Sequence, residues 1–95
     1  MTRIPIAHIR EQGQNIIIVP LDRSFEYKTR EEQTGITQSL QYTASRAGLA
    51  GKVVPVWDGG GGRMAFIAPV QWHRFFQSLS LRVVARMLNR ELICS

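Results

Sequence analysis

The chain has one cysteine, Cys94, in 95 residues, so no disulfide can form within it. With a lone thiol and no disulfide framework, a reducing cytoplasm is the expected setting. Histidine is scarce as well. His8 and His73 are the only two, and no Cys or His pair has the spacing of a zinc site. No metal and no cofactor is therefore expected, and no catalytic residue stands out. Long apolar runs are missing. The longest aliphatic stretch is "IIIV" at 16–19, far short of the roughly 18 residues that span a membrane. The opening "MTRIPIAHIR" lacks the apolar segment and small residues of a signal peptide. No membrane association is expected. Acidic residues are few, 7 against 12 basic, which gives a net charge of +5 and a pI of 10.4. Ten of the twelve basic residues are arginine, the side chain best suited to bidentate contacts with phosphate or carboxylate. A charge of this size also serves simply to keep a small domain in solution.

What is present suits one globular domain over residues 1–95. The hydrophobic fraction is 44% and the charged fraction 20%, which argues against disorder. A chain this short buries roughly 60–70% of its unfolded surface in one modest core.

Residues 4–21, "IPIAHIREQGQNIIIVPL", begin with alternation. Ile4, Ile6 and His8 share one strand face, and Pro5, Ala7 and Ile9 share the other. "EQGQN" supplies a turn, and the β-branched run after it suits a strand buried on both sides. The pattern reads as a hairpin, or as a single strand with residues 1–10 as an arm. "DRSFEYKTREEQ" at 22–33 is a charged connection that Phe25 and Tyr27 would order. Thr29 followed by Glu32 fits a capping box. A helix follows to Ala47, with Ile36, Leu40, Thr43, Ala44 and Ala47 on one stripe. Gly48 sits where a left-handed cap belongs.

"KVVPVW" at 52–57 and "RMAFIA" at 63–68 read as strands. Pro55 cannot donate to a ladder, which suggests an edge or bulged strand. From Pro69 onward the period becomes helical. Trp72, Phe75, Phe76 and Leu79 make one apolar face, and Leu81, Val84, Ala85, Leu88 and Leu92 make the next. Residues 70–93 thus form one helix, or two with Ser78 or Ser80 capping the second. The expected order is β-β-α-β-β-α-α. This is an α+β, two-layer sandwich: a small antiparallel sheet with helices on one face and the other face open to a partner.

Four consecutive glycines, "DGGGG" at 58–62, are the most site-like feature. A phosphate-binding Walker loop requires a lysine, a hydroxyl residue and then a helix. Here arginine, methionine and a strand follow, so the stretch reads as a hairpin tip. Arg63, beside bare glycine amides, is a candidate anion contact. Trp57 borders the tip and, with Pro55 on the edge-like strand, is a candidate for partner docking. Arg82, Arg86 and Arg90 recur every four residues, and Arg74 joins their row if the helix is continuous. Only Glu91 is acidic between positions 70 and 95. The row is either a stripe laid on a phosphate backbone or the solvated side of an amphipathic helix. Asp58, Arg63 and His73 could meet at the sheet end as an enzyme-like cluster.

"HIREQG", "VVPVWDGGGGRMAFIAP" and "QWHRFF" resemble short uncharacterised bacterial proteins of the mobile gene-cassette kind. The resemblance implies a bacterial, cytoplasmic, stand-alone protein and transfers no functional residue. The leading expectation is a non-catalytic binding or adaptor domain acting as a homodimer. The alternatives are nucleic-acid binding through Arg74, Arg82, Arg86 and Arg90, and a small-ligand protein or enzyme.

Overall fold

The computed structural model describes residues 2–94. Strands β1 (Thr2–Glu11) and β2 (Gln14–Pro20) form the expected hairpin. Its two-residue loop carries positive φ at Gln12 (52°) and Gly13 (77°), the twist that closes antiparallel strands tightly. Ile16, Ile17, Ile18 and Val19 are all fully buried, because β2 has a covered layer on each side. A short 3-10 turn, Arg23–Tyr27, is capped by the Asp22 side chain and buries Phe25. Helix α1 (Arg30–Arg46) starts on the Thr29–Glu32 capping box. It ends with Gly48 at φ 79° and with Leu49 N–H bonding back to the Ala44 carbonyl.

β3 (Lys52–Asp58) and β4 (Met64–Phe66) follow, joined by the glycine tip. A 3-10 turn at Val70–Trp72 leads into α2 (His73–Gln77). Helix α3 (Leu81–Met87) starts on a Ser80 cap, the break expected there. The last element is a strand, β5 (Arg90–Cys94).

The fold is α+β, with a five-stranded sheet in the order β4-β3-β2-β1-β5. Three details differ from the sequence reading. The sheet is mixed rather than antiparallel, because β2 and β3 run parallel. The 17 residues of α1 span about 25 Å at 1.5 Å per residue, which returns the chain to the end of the sheet where β2 began. Helices also cover both faces instead of one. On one face Leu40 and Ala44 of α1 pack on Ile6, Ile17, Val53 and Leu92. On the other, Trp72, Phe76 and Val84 from the α2–α3 segment pack on Ala7, Ile18 and Val54. A strand as buried as β2 requires cover on both sides, so no central sheet face is left open.

The third difference is β5, where the periodicity of Leu88 and Leu92 suggested helix. α3 stops at Met87, and Leu88 turns extended (φ −60°, ψ 123°). The Asn89 side chain then accepts from His8 N–H at 2.8 Å and donates to the His8 carbonyl at 2.9 Å. The Asn89 backbone N–H donates to the Ile6 carbonyl at 3.0 Å. Residues 2–6 of β1 otherwise have unpaired backbone groups on that side, and pairing them outweighs one more helical turn. Leu92 consequently packs under α1, on the opposite sheet face from Val84.

Candidate functional site

The glycine stretch is a hairpin tip, as its flanking strands suggested. Gly60, Gly61 and Gly62 have φ of 94°, 61° and 76°, conformations that glycine enters without steric cost. The amide of Gly60 donates to Asp58 Oδ1 (2.9 Å). Those of Gly59 and Arg63 donate to the carbonyls of Arg63 (2.9 Å) and Gly60 (3.1 Å). Three amides are thus spent on the turn itself, and an anion at the tip would have to compete for them. The Arg63 side chain is exposed beside it.

Trp57 and Pro55 are not docking residues, because both are buried. Phe25 meets the Trp57 ring edge-on at 4.7 Å, and Trp57 Nε1 donates to Glu26 Oε1 at 2.7 Å. The polar loop before α1 is therefore pinned over β3. Pro55 lies in an interior strand rather than an edge strand. Its carbonyl accepts from Ile67 N–H (3.2 Å) on the β4 side, so its donorless nitrogen faces the place where β4 ends. The missing donor thus falls outside the ladder.

The arginines do not form one row. Only Arg82 and Arg86 share a helix, α3. Arg74 is on the separate α2. Arg90 begins β5 opposite Ile6, and residues directly opposite share a sheet face, which places Arg90 on the α1 side. Arg63, Arg74, Arg82 and Arg86 are all exposed. No acidic residue lies between Asp58 and Glu91 in the sequence. Among the described residues the one ion pair is Arg3–Glu91, at 3.6 Å across β1 and β5.

The enzyme-like cluster does not assemble. Asp58 is committed to its own turn, and His73 Nε2 lies 2.9 Å from the Ala68 carbonyl with its ring against Phe66. His8 Nε2 lies 2.7 Å from the Ala50 carbonyl, tying β1 to the loop before β3. No group of three metal-ligating side chains occurs among the described residues, and no described helix is long and apolar enough to cross a membrane. Two carboxylates titrate below their ordinary range. Asp22 is lowered by hydrogen bonds from Ser24, and Glu32 by the Thr29 backbone and side chain. Asp22 is the N-cap of its 3-10 turn, and Glu32 is the third helical residue of the α1 capping box.

The surface feature that sequence reading missed is the outer edge of β5. The carbonyl of Ile6 and both backbone groups of His8 face β5. By alternation, the partners Arg90, Leu92 and Cys94 turn their backbone groups toward β1. The N–H and C=O groups of Glu91 and Ile93 therefore point outward, unpaired, along an open edge. The Ile93 side chain is half exposed (51%). Two grooves follow the same edge beneath α1. One, of about 610 Å³, is lined by Lys28, Glu32, Ile36, Ser39, Leu40 and Cys94, among others. The other, of about 490 Å³, lies between Tyr42, Thr43, Arg46, Ala47 and Ile93. The alternation in "RELIC", one buried Leu92 between exposed Glu91 and Ile93, was the available signal. It is short, and the helical period running into it masked it.

The fold and this edge describe a small α+β domain whose sheet ends on the β1 side in an unpaired strand, β5. Comparison with family models, with curated proteins and with solved structures finds no match to the chain.

Proposed function

We propose that the chain is a small non-catalytic binding domain that acts as a homodimer, with the β5 edge as its contact. The observation that carries this is the row of outward backbone groups at Glu91 and Ile93, flanked by grooves under α1. Such an edge templates the addition of another strand. Residues that would normally blunt it are few. Glu91 is engaged with Arg3 on its own protomer, and neither a proline nor a lysine lies in β5. Light scattering or sedimentation equilibrium at micromolar concentration tests the reading. A dimer is expected, and a monomer overturns it.

A second reading is binding of nucleic acid through the α2–α3 face. What favours it is the segregation of charge: Arg63, Arg74, Arg82 and Arg86 are exposed along a stretch with no carboxylate. It predicts salt-sensitive binding to DNA or RNA, stronger than that of an unrelated protein of equal charge. Both readings fit a cytoplasmic protein with one reduced thiol.

A further inference from the structure

The open edge restricts how a second copy can pair with it. Two antiparallel β5 strands in one continuous sheet are related by a two-fold axis normal to the sheet, so each face continues into the same face of the partner copy. Opposed residues must then have side chains on the same face, which leaves few registers. A two-fold at Arg90 sets Arg90 against itself, and one at Glu91 sets Glu91 against itself. Like charges directly opposite disfavour both. A two-fold at Ile93 pairs the outward groups of Ile93 with those of the same residue in the second copy and, among residues 90–94, gives those of Glu91 no partner. A two-fold at Leu92 has none of these faults. It lets the outward N–H and C=O groups of Glu91 pair with those of Ile93 in the second copy, and the reverse.

That register has a consequence for charge. Arg90 of one copy falls directly opposite Cys94 of the other, on the α1 face. Cys94 borders the 610 Å³ groove, and Glu32 lines the same groove. Ile36 and Leu40 supply an apolar wall for the arginine stem. One oxygen of Glu32 caps α1 by accepting from Thr29 N–H at 2.9 Å, which leaves the other for a guanidinium. Lys28 also borders the groove, so the site holds a cation of its own, and Glu32 would be shared between them. A five-residue strand pair is a small contact beside the roughly 1,200 Å² of a stable interface. Filling both grooves is therefore part of the requirement.

Resting on the dimer reading above, we propose that β5 pairs with β5 of a second copy about a two-fold axis at Leu92, seating Arg90 of each copy in the α1–β5 groove of the other beside Glu32.

The register makes Arg90 and Cys94 of the two copies a non-hydrogen-bonded pair, with Cα atoms about 4.5 Å apart. This lies at the short end of the range a disulfide spans. Within one strand the same positions are about 13 Å apart, so no intramolecular bond can form. Arg90→Cys, under mild oxidation, should give a covalent dimer on a non-reducing gel, through the new thiol and Cys94. Arg82→Cys, on α3, should not. In parallel, Arg90→Glu should weaken dimerisation by at least about tenfold. Mixing it with Glu32→Lys should restore a heterodimer, since one Arg90–Glu32 pair is then native and the other is re-formed with its charges reversed. Circular dichroism checks that Glu32→Lys, which loses half its capping box, remains helical. Should it unfold, the cross-link decides alone. A dimer by light scattering that neither cross-links through Arg90→Cys nor responds to Arg90→Glu overturns the register and leaves the homodimer standing. A monomer overturns both.

Discussion

Gly51 sits where α1, β2 and β3 converge, and replacing it with alanine tests that convergence. Its φ is +127°, and a Cβ there would lie 2.7 Å from the Asn15 carbonyl oxygen and 2.8 Å from its carbon. The obstacle is the backbone of the neighbouring strand, which cannot swing aside as a side chain can. Two costs add. The backbone conformation is nearly exclusive to glycine, at about 1–3 kcal/mol. Making room means shifting the start of β3 from β2 just where Lys52 pairs with Ile16, in the range of about 1–3 kcal/mol found for overpacking. The shift also disturbs Gln41, whose side chain donates to the Gly51 carbonyl (3.0 Å) and accepts from Val53 N–H (2.8 Å). A loss of about 3 kcal/mol or more is expected, and at roughly 4–8 °C per kcal/mol the melting point should fall by about 12 °C or more. The control is Gly61→Ala. Its φ is also positive (+61°), but nothing lies within 4 Å of the added carbon, so only the left-handed cost of about 1–2 kcal/mol applies. The lower entropy of the unfolded variant partly offsets it. Urea titrations followed by circular dichroism measure both, with an unchanged m-value confirming a common unfolded state. If Gly51→Ala and Gly61→Ala fall within about 0.5 kcal/mol of each other, the parallel approach of residue 51 to Asn15 is wrong.

Further expectations concern individual side chains. Asn89→Ala removes both bonds to the His8 backbone and should cost about 1–3 kcal/mol; hydrogen exchange should show the His8 amide losing protection, and no change there would refute the pairing. Trp57→Phe keeps most of the ring packing but deletes the 2.7 Å bond to Glu26, so about 0.5–1.5 kcal/mol is expected. Both tryptophans are 4% exposed, so native fluorescence should resist iodide quenching; strong quenching would return Trp57 to the surface. The Asp22 carboxylate is held below its ordinary 3.8 by Ser24. Its stabilisation is therefore complete at neutral pH and lost as pH falls below about 3.8 through the folded-state value. The stability gap between wild type and Asp22→Asn should narrow over that window, and a pH-independent gap would contradict it. If the α2–α3 face binds nucleic acid, the double variant Arg82→Ala/Arg86→Ala should lower the salt slope of binding by about 2; an unaltered slope would exclude α3 from the contact.

Local chemistry wrote much of this molecule legibly into the sequence. The capping box at Thr29 and Glu32 and the glycine stop at Gly48 depend only on residues a few positions away, so both ends of α1 could be read directly, and Ser80 was one of two caps the sequence offered for α3. The same holds for the turn at Gln12–Gly13 and for the tip at 58–62, where a following strand and a missing lysine excluded a phosphate loop. The alternation of Ile4, Ile6 and His8 against Ala7 and Ile9 assigned the two faces of β1 correctly. None of these depends on which element lies alongside.

Tertiary structure decided the rest, because the deciding partners are distant in sequence. Whether residues 90–94 continue a helix or become a strand depends on the unpaired edge of β1, some eighty positions earlier, and local period cannot register that demand. The burial of Trp57 depends on Phe25 and Glu26, in a loop that reads as solvated charge. The four-residue spacing of Arg82, Arg86 and Arg90 implied one row only on the assumption of one helix. Ending α3 at Met87 sent Arg90 to the other face of the sheet, and left Glu91 and Ile93 with outward backbone groups along its edge.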